Sequence, residues 1–220
     1  MGNLNPDRKY SLLIPPKEYE PNEEPAGSDL TSLADHYKTD KGTIKHNYTQ
    51  VYEQLLSGRK HDNIDLLEIG VACGSSLKMW SRYFDNGKIT GLDIRPECAG
   101  LCADFQSVDI VIDDATAFNP NKNYDFIIDD GSHVSIDIVN TWKNLWQHIK
   151  PGGIYFIEDL RCTHNPTYMT MYDWNRPPGD FNRKHVIDWL NSLMMLTDVH
   201  QTNIEFVHYT REMLAIGKKK

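Results

Sequence analysis

The chain has 220 residues, 40% of them hydrophobic, with 23 Lys and Arg against 31 Asp and Glu for a formal net charge of −8; that length suits one domain with a core of its own. A pI near 5.5 argues against a sequence-independent grip on nucleic acid, and no apolar run approaches the roughly 18 residues that a membrane span requires. The four cysteines, Cys73, Cys98, Cys102 and Cys162, have neither CxxC nor zinc-ligand spacing, so they read as reduced thiols in a cytoplasmic setting.

Residues 1–28 hold five of the eleven prolines and a Glu-rich patch, and read as a proline-rich arm or linker ahead of a domain over residues 29–220. "SDLTSLADHY" reads as a helix capped by Ser28 or Asp29, and "YTQVYEQLLSG" as a second one ending at Gly58. "IDLLEIGV" (64–71) is a short apolar run closed by glycine, which predicts a buried strand. "SSLKMWSRYF" (75–84) has helical spacing of Leu77, Trp80 and Phe84. Strands follow at "KITGLDI" (88–94), "VDIVIDDA" (108–115) and "YDFIIDD" (124–130). "SIDIVNTWKNLWQHI" (135–149) places Ile138, Val139, Trp142, Leu145, Trp146 and Ile149 on one helical face, and Lys150-Pro151-Gly152-Gly153 stops it before a fifth strand, "IYFIEDL" (154–160). Strands alternating with helices predict an α/β fold with a parallel sheet and right-handed crossovers. "NIEFVHYT" and "EMLAIGKK" are joined by a link too short for a crossover, so they predict an antiparallel hairpin at the sheet edge. Five parallel strands followed by such a hairpin, a mostly parallel seven-stranded sheet, resembles the Rossmann-like layout of class I methyltransferases.

Chemistry concentrates at the strand ends. "LLEIGVACGSS" puts Gly70 and Gly74 between the first strand and a helix beginning at Ser75, a turn that admits close approach of a ligand to free N–H groups. Glu68 precedes that turn, as an acid does in enzymes that bind S-adenosylmethionine. Asp93 closes the second strand, where it can accept two ribose hydroxyls, and Asp114 closes the third, near where an adenine amino group would lie. Asp129-Asp130 ends the fourth strand and Glu158-Asp159 the fifth. Four carboxylates that close repel one another unless a cation neutralises them, and an all-oxygen set with open positions suits Mg²⁺. Asp130, Glu158 and Asp159 are the expected ligands; Asp129, in the opposite strand phase, is expected to cap or orient. His133 follows in the turn, and an ordinary imidazole pKa of about 6.5 makes it the natural proton acceptor. His36, His46 and His164 are further candidates to line the pocket.

With "ADHYKTDKG", "HNYTQVYE", "LLEIGVACGSSLKMW", "GLDI", "FIIDDGSHV", "PGGIYFIEDL" and the final hairpin, residues 30–217 resemble the magnesium-dependent sugar O-methyltransferases of macrolide tailoring, the mycinamicin and tylosin type. The resemblance implies S-adenosylmethionine and Mg²⁺ as cofactors, Asp130, Glu158 and Asp159 as metal ligands, and His133 as general base. It also implies that residues 37–49 cap the methionyl end of the cofactor. The sequence departs from its relatives in reading "DDATAF" where Gly-Asp-Gln is common, and in lacking the large N-terminal domain of some of them. The expectation is methyl transfer to a hydroxyl of a sugar or glycoside, a deoxyhexose such as rhamnose, with residues 160–182 as the acceptor loop and Tyr168, Tyr172 and Trp174 as stacking platforms. A homo-oligomer, or one part of a larger glycan-assembly polypeptide, fits equally. The alternatives are a catechol-like acceptor with the same metal logic, and a nucleoside- or glycan-binding module without chemistry.

Overall fold

The computed structural model describes residues 29–164, 178–200 and 202–220. The expected arm over residues 1–28 and the aromatic trio Tyr168, Tyr172 and Trp174 lie outside them. Helices α1 (Leu30–His36) and α2 (Thr49–Leu56) precede strand β1 (Asn63–Ile69), followed by α3 (Ser75–Tyr83), β2 (Asn86–Asp93), β3 (Val108–Ile112), β4 (Tyr124–Asp129), α4 (Ser135–Leu145), β5 (Ile149–Ile157), α5 (Lys184–Asp198), β6 (Ile204–Tyr209) and β7 (Leu214–Lys218). The seven strands form one sheet in the order β3-β2-β1-β4-β5-β7-β6. β1 to β5 pair in parallel, and β7 runs antiparallel between β5 and β6, as the short link before residue 214 requires.

Strand alternation divides the core into two layers. Leu66, Phe126, Ile128, Phe156 and Ala215 face one way, onto Leu33, Tyr52, Leu77 and Trp80 of α1 to α3. Leu67, Ile127, Tyr155, Ile157 and Ile216 face the other, onto Ile138 and Leu145 of α4 and Val186, Trp189 and Leu193 of α5. Both faces of the central strands are therefore apolar, the usual consequence of helices covering a parallel sheet on both sides. Among the described residues no helix is long and apolar enough to cross a membrane.

Of the two caps expected for α1, Asp29 fills the position, its Oδ1 accepting from the Ser32 N–H at 2.9 Å. β3 ends at Ile112, so Asp114 lies beyond it and does not close the strand. The helix expected over 135–149 ends at Leu145, and β5 begins at Ile149 rather than Ile154 because Ile149 pairs with Tyr124 before the register shifts. The 15-residue α5 has no counterpart in the sequence reading.

The end of the sheet opposite the acid-bearing strand tips is closed by an ion knot. Asp125, 5% exposed, accepts from Arg59 Nη2 at 2.6 Å, Lys150 Nζ at 2.8 Å and the Asp65 N–H at 2.9 Å. Burial raises its pKa, but the bonds from Lys150, Asp65 N and Arg59 outweigh it and hold the carboxyl below the usual carboxylate range. Because folding lowers this pKa, the knot's contribution is complete above the unfolded value of about 3.9 and is lost as pH falls through the lower folded one. Asp125→Asn is expected to cost about 1–3 kcal/mol at pH 7, with the urea-unfolding gap to wild type closing in strong acid. A gap that stays constant down to that pH would show that ionisation of Asp125 contributes nothing.

Candidate active site

Parallel strands bring the C-terminal tips of β1, β2, β4 and β5 to one edge, and the sequence-predicted residues converge there. Gly70 follows β1 with φ +90, and its N–H donates to the Leu92 carbonyl at 2.8 Å. A Cβ at this position would overlap the Asp130 carbonyl oxygen, so only glycine lets the β1 turn lie directly against the β4 turn. Gly74, at φ +79, is the N-cap of α3, and Ser75 opens that helix with Oγ 3.3 Å from Cys73 Sγ.

Past β4 the chain turns sharply. Asp129 is buried, and its oxygens accept from the Gly131 N–H at 3.4 Å and Tyr155 Oη at 3.2 Å; it orients the turn, as its strand phase suggests. His133 and Asp159 both take left-handed backbone conformations, φ +56 and +54. Such strain in two non-glycine residues of one cluster is sustained only where surrounding structure enforces it. The turns bring His133 Nε2 to 3.8 Å from Asp130 Oδ1 and 3.9 Å from Asp159 Oδ2. Asp130, His133 and Asp159 each present one ligand atom within 4.8 Å of the others, an arrangement able to hold a metal ion. Asp159 Oδ1 accepts from Tyr48 Oη at 2.6 Å. Burial raises the Asp159 pKa, yet His133, Tyr48 and His46 together hold it below the ordinary value.

Glu158 is placed differently from the expectation. It is 1% exposed and turned inward, with Oε2 on Lys41 Nζ at 2.7 Å and Oε1 accepting from Tyr52 Oη. Lys41 thus links Glu158 to Asp130. The lysine also lies 2.6 Å from Asp130 Oδ2 and 3.3 Å from Glu68 Oε1. The cation that sequence reasoning required among these carboxylates is therefore supplied in part by the protein. Burial works against the charged amine, but Asp130, Glu158 and Glu68 outweigh it and hold Lys41 well above the usual lysine value. One ammonium cannot neutralise three carboxylates, and burial pushes both Glu158 and Glu68 upward against the pull of Lys41.

The expected cofactor acids differ in availability. Glu68 is fully buried, with Lys41 Nζ 3.3 Å from Oε1 and no well-formed hydrogen bond to either oxygen; a buried acceptor with capacity to spare beside a glycine turn fits a ligand that donates to it. Asp93 is occupied: Oδ2 accepts from the Val71 N–H at 2.9 Å and Arg95 Nη2 at 3.0 Å, Oδ1 from the Arg95 N–H at 2.9 Å and Nε at 3.1 Å. A ribose diol could reach it only with Arg95 displaced. Asp114 is exposed, its Oδ1 accepting from Thr116 N and Oγ1 at 2.9 and 2.8 Å, so the structure has it capping a turn beside Asp93. Of the other histidines, His46 stacks on Tyr48 with ring centroids 4.9 Å apart and its Nδ1 3.3 Å from Glu212 Oε2. His36 packs edge-on against Tyr37, and His164 is exposed.

Sequence reasoning missed Lys41, Tyr52 and Glu212. Lys41 and Tyr48 stand in the "YKTDKG" and "HNYT" segments singled out above, but a lone lysine in a polar loop carries no mark of the company it keeps in the fold.

With this geometry in hand, residues 67–160 match the family described as a methyltransferase domain. The chain's α/β sheet, parallel strands and C-terminal hairpin are those of the class I methyltransferase fold. The domain is similar in structure to the MycE methyltransferase of the mycinamycin biosynthetic pathway, solved with Mg and SAH, with a TM-score of 0.70 and 25% identity over 87% of this chain and 55% of that one. In sequence it is 35% identical, over 74% of its length, to the 8-demethyl-8-alpha-L-rhamnosyl tetracenomycin-C 2'-O-methyltransferase of Streptomyces olivaceus. It is 30% identical, over 64% of its length, to the mycinamicin VI 2''-O-methyltransferase of Micromonospora griseorubida. The chain spans 46% and 38% of the length of these two relatives.

Proposed function

We propose that this methyltransferase domain transfers the methyl group of S-adenosylmethionine to a hydroxyl of a sugar, a deoxyhexose such as rhamnose in a glycoside, with a divalent ion, Mg²⁺, at the acid cluster. What carries the reading is the placement of Asp130 and His133 on a turn whose backbone lies against Gly70, with Asp159 beside them from the end of β5, which sets a proton acceptor and two carboxylates beside the cofactor turn. Relatives whose names specify sugar O-methylation support the choice of acceptor.

Asp130 and Asp159 fit the ion: two carboxylates with the rest of the shell open to water or substrate oxygens is how Mg²⁺ is commonly held. Glu158, expected as a third ligand, shares Lys41 with Asp130. Glu68, Gly70, Gly74 and Ser75 form the cofactor side of the site, and Asp93 would join them once Arg95 moves aside; Asp114 is the proposed adenine neighbour. When bound, the ion supplies Lewis acidity that lowers the pKa of a coordinated alcohol, and S-adenosylmethionine supplies the electrophilic methyl. His133 Nε2, free of any hydrogen bond to Asp130 or Asp159 at 3.8 and 3.9 Å, accepts the hydroxyl proton. Asp130 and Asp159 fix the acceptor's position relative to that imidazole, and such positioning accounts for a large share of acceleration in group transfer.

The test incubates the domain with isotopically labelled S-adenosylmethionine, a panel of rhamnosides and other deoxyhexosides, and a panel of catechols, with products read by mass spectrometry. Label on a glycoside is expected. EDTA and Asp130→Ala should each abolish it while the cofactor still binds. Label on catechols alone would replace the acceptor class, and full turnover in EDTA would remove the metal.

A further inference from the structure

Lys41 lies in the 37–49 segment but has no role in the chemistry proposed above, yet it is a fully enclosed cation, its side chain 1% exposed. It is delivered by the irregular segment between α1 and α2, and that segment is held firmly. Asp35 accepts from Thr43 N at 2.8 Å and Thr43 Oγ1 at 2.6 Å, while the Lys41 carbonyl accepts from Thr49 N at 3.1 Å. From there the side chain crosses to the tips of three adjacent strands, meeting Glu68 of β1, Asp130 after β4 and Glu158 after β5. Its effect on Asp130 is directional. The ammonium takes Oδ2 at 2.6 Å, and Oδ1 is the atom left facing His133. Tyr52 and Lys41 together occupy Glu158.

We infer that Lys41 is the positioning residue of the acid cluster: a fixed internal cation that engages the inward oxygens of Asp130 and Glu158 and so leaves Asp130 Oδ1 and Asp159 Oδ2 as the pair offered to a divalent ion beside His133. The inference rests on the reading that this cluster binds such an ion. It assigns the lysine a role opposite in sign to its charge. By Coulomb's law alone, deleting a positive charge beside a cation site strengthens cation binding. As a positioning residue, Lys41 is required for that binding, because partners that orient a ligand typically matter 10–100-fold in metal affinity.

The experiment measures Mn²⁺ binding to the full chain by electron paramagnetic resonance, with circular dichroism confirming the fold. Wild type is expected to bind one Mn²⁺ at the cluster, and Lys41→Met to bind it about 10–100-fold more weakly. A lysine that merely holds the fold together would lower the unfolding temperature of Lys41→Met and leave the Mn²⁺ affinity of the folded protein unchanged. Unchanged or tighter binding overturns the inference, whereas wild type that binds no Mn²⁺ overturns the metal reading beneath it. Should Lys41→Met fail to fold, the pair Lys41→Met/Glu158→Gln, which removes a carboxylate left without its cation, is compared with Glu158→Gln alone. Weaker Mn²⁺ binding in the double variant is expected, and equal affinity overturns the inference.

Discussion

Replacing His133 with alanine is expected to lower kcat for the proposed sugar acceptor about 10²–10⁴-fold, the usual cost of deleting a general base, with the affinity for S-adenosylmethionine little changed. The imidazole faces the acid cluster, not Glu68: its Nε2 approaches Asp130 Oδ1 and Asp159 Oδ2, each just under 4 Å away. Removing it takes away the proposed proton acceptor but leaves both carboxylates and the glycine turn in place. The loss should therefore fall on kcat, with the cofactor dissociation constant, read by calorimetry, staying near wild type. The left-handed backbone at position 133, φ +56, adds a control. His133→Asn, which tolerates that conformation better than alanine, should fold at least as well as His133→Ala and be as impaired in turnover. Wild-type kcat in either variant would remove His133 from the reaction.

The second large effect is on the turn beneath it. Gly70→Ala is expected to destabilise the protein by about 2–5 kcal/mol. The left-handed conformation costs an alanine about 1–2 kcal/mol, and overfilling a packed contact about 1–3 kcal/mol more. The clash falls on backbone, the carbonyl of Asp130, which cannot rotate away as a flexible side chain would. Relief has to come from moving the β4 turn, and Asp130 and His133 move with it. Gly70→Ala should therefore weaken both Mn²⁺ and S-adenosylmethionine binding in whatever fraction folds, unlike His133→Ala, which affects turnover. Urea unfolding combined with titration of each ligand separates the two variants. A Gly70→Ala protein of wild-type stability that binds both ligands normally would show that the two turns are not coupled.

These two positions also mark how far the site could be read from the chain. Glycine after "LLEI" and the acids at 68, 93, 130 and 159 stand out because polar groups that interrupt apolar strand runs must lie at strand ends, and parallel strands put those ends on one edge. α5 was legible in principle through Val186, Trp189 and Leu193, spaced three and four apart. Its outer face, however, exposes Ile187, Met194, Met195 and Leu196, so the apolar residues surround the helix and the amphipathic contrast fades.

Local pattern alone therefore determined the strand succession, the helices before β5, the antiparallel tail and the edge at which the acids gather, because each follows from the period of burial and the length of a connection. Which carboxylates share a partner was decided only in three dimensions. Lys41 lies 89 and 117 residues from Asp130 and Glu158, and no local spacing records that its ammonium ends between them. Burial forces such pairing, since a charge removed from water must find its counter-charge wherever the fold places one. That pairing turned Glu158 inward and left Asp130, His133 and Asp159 facing the open site.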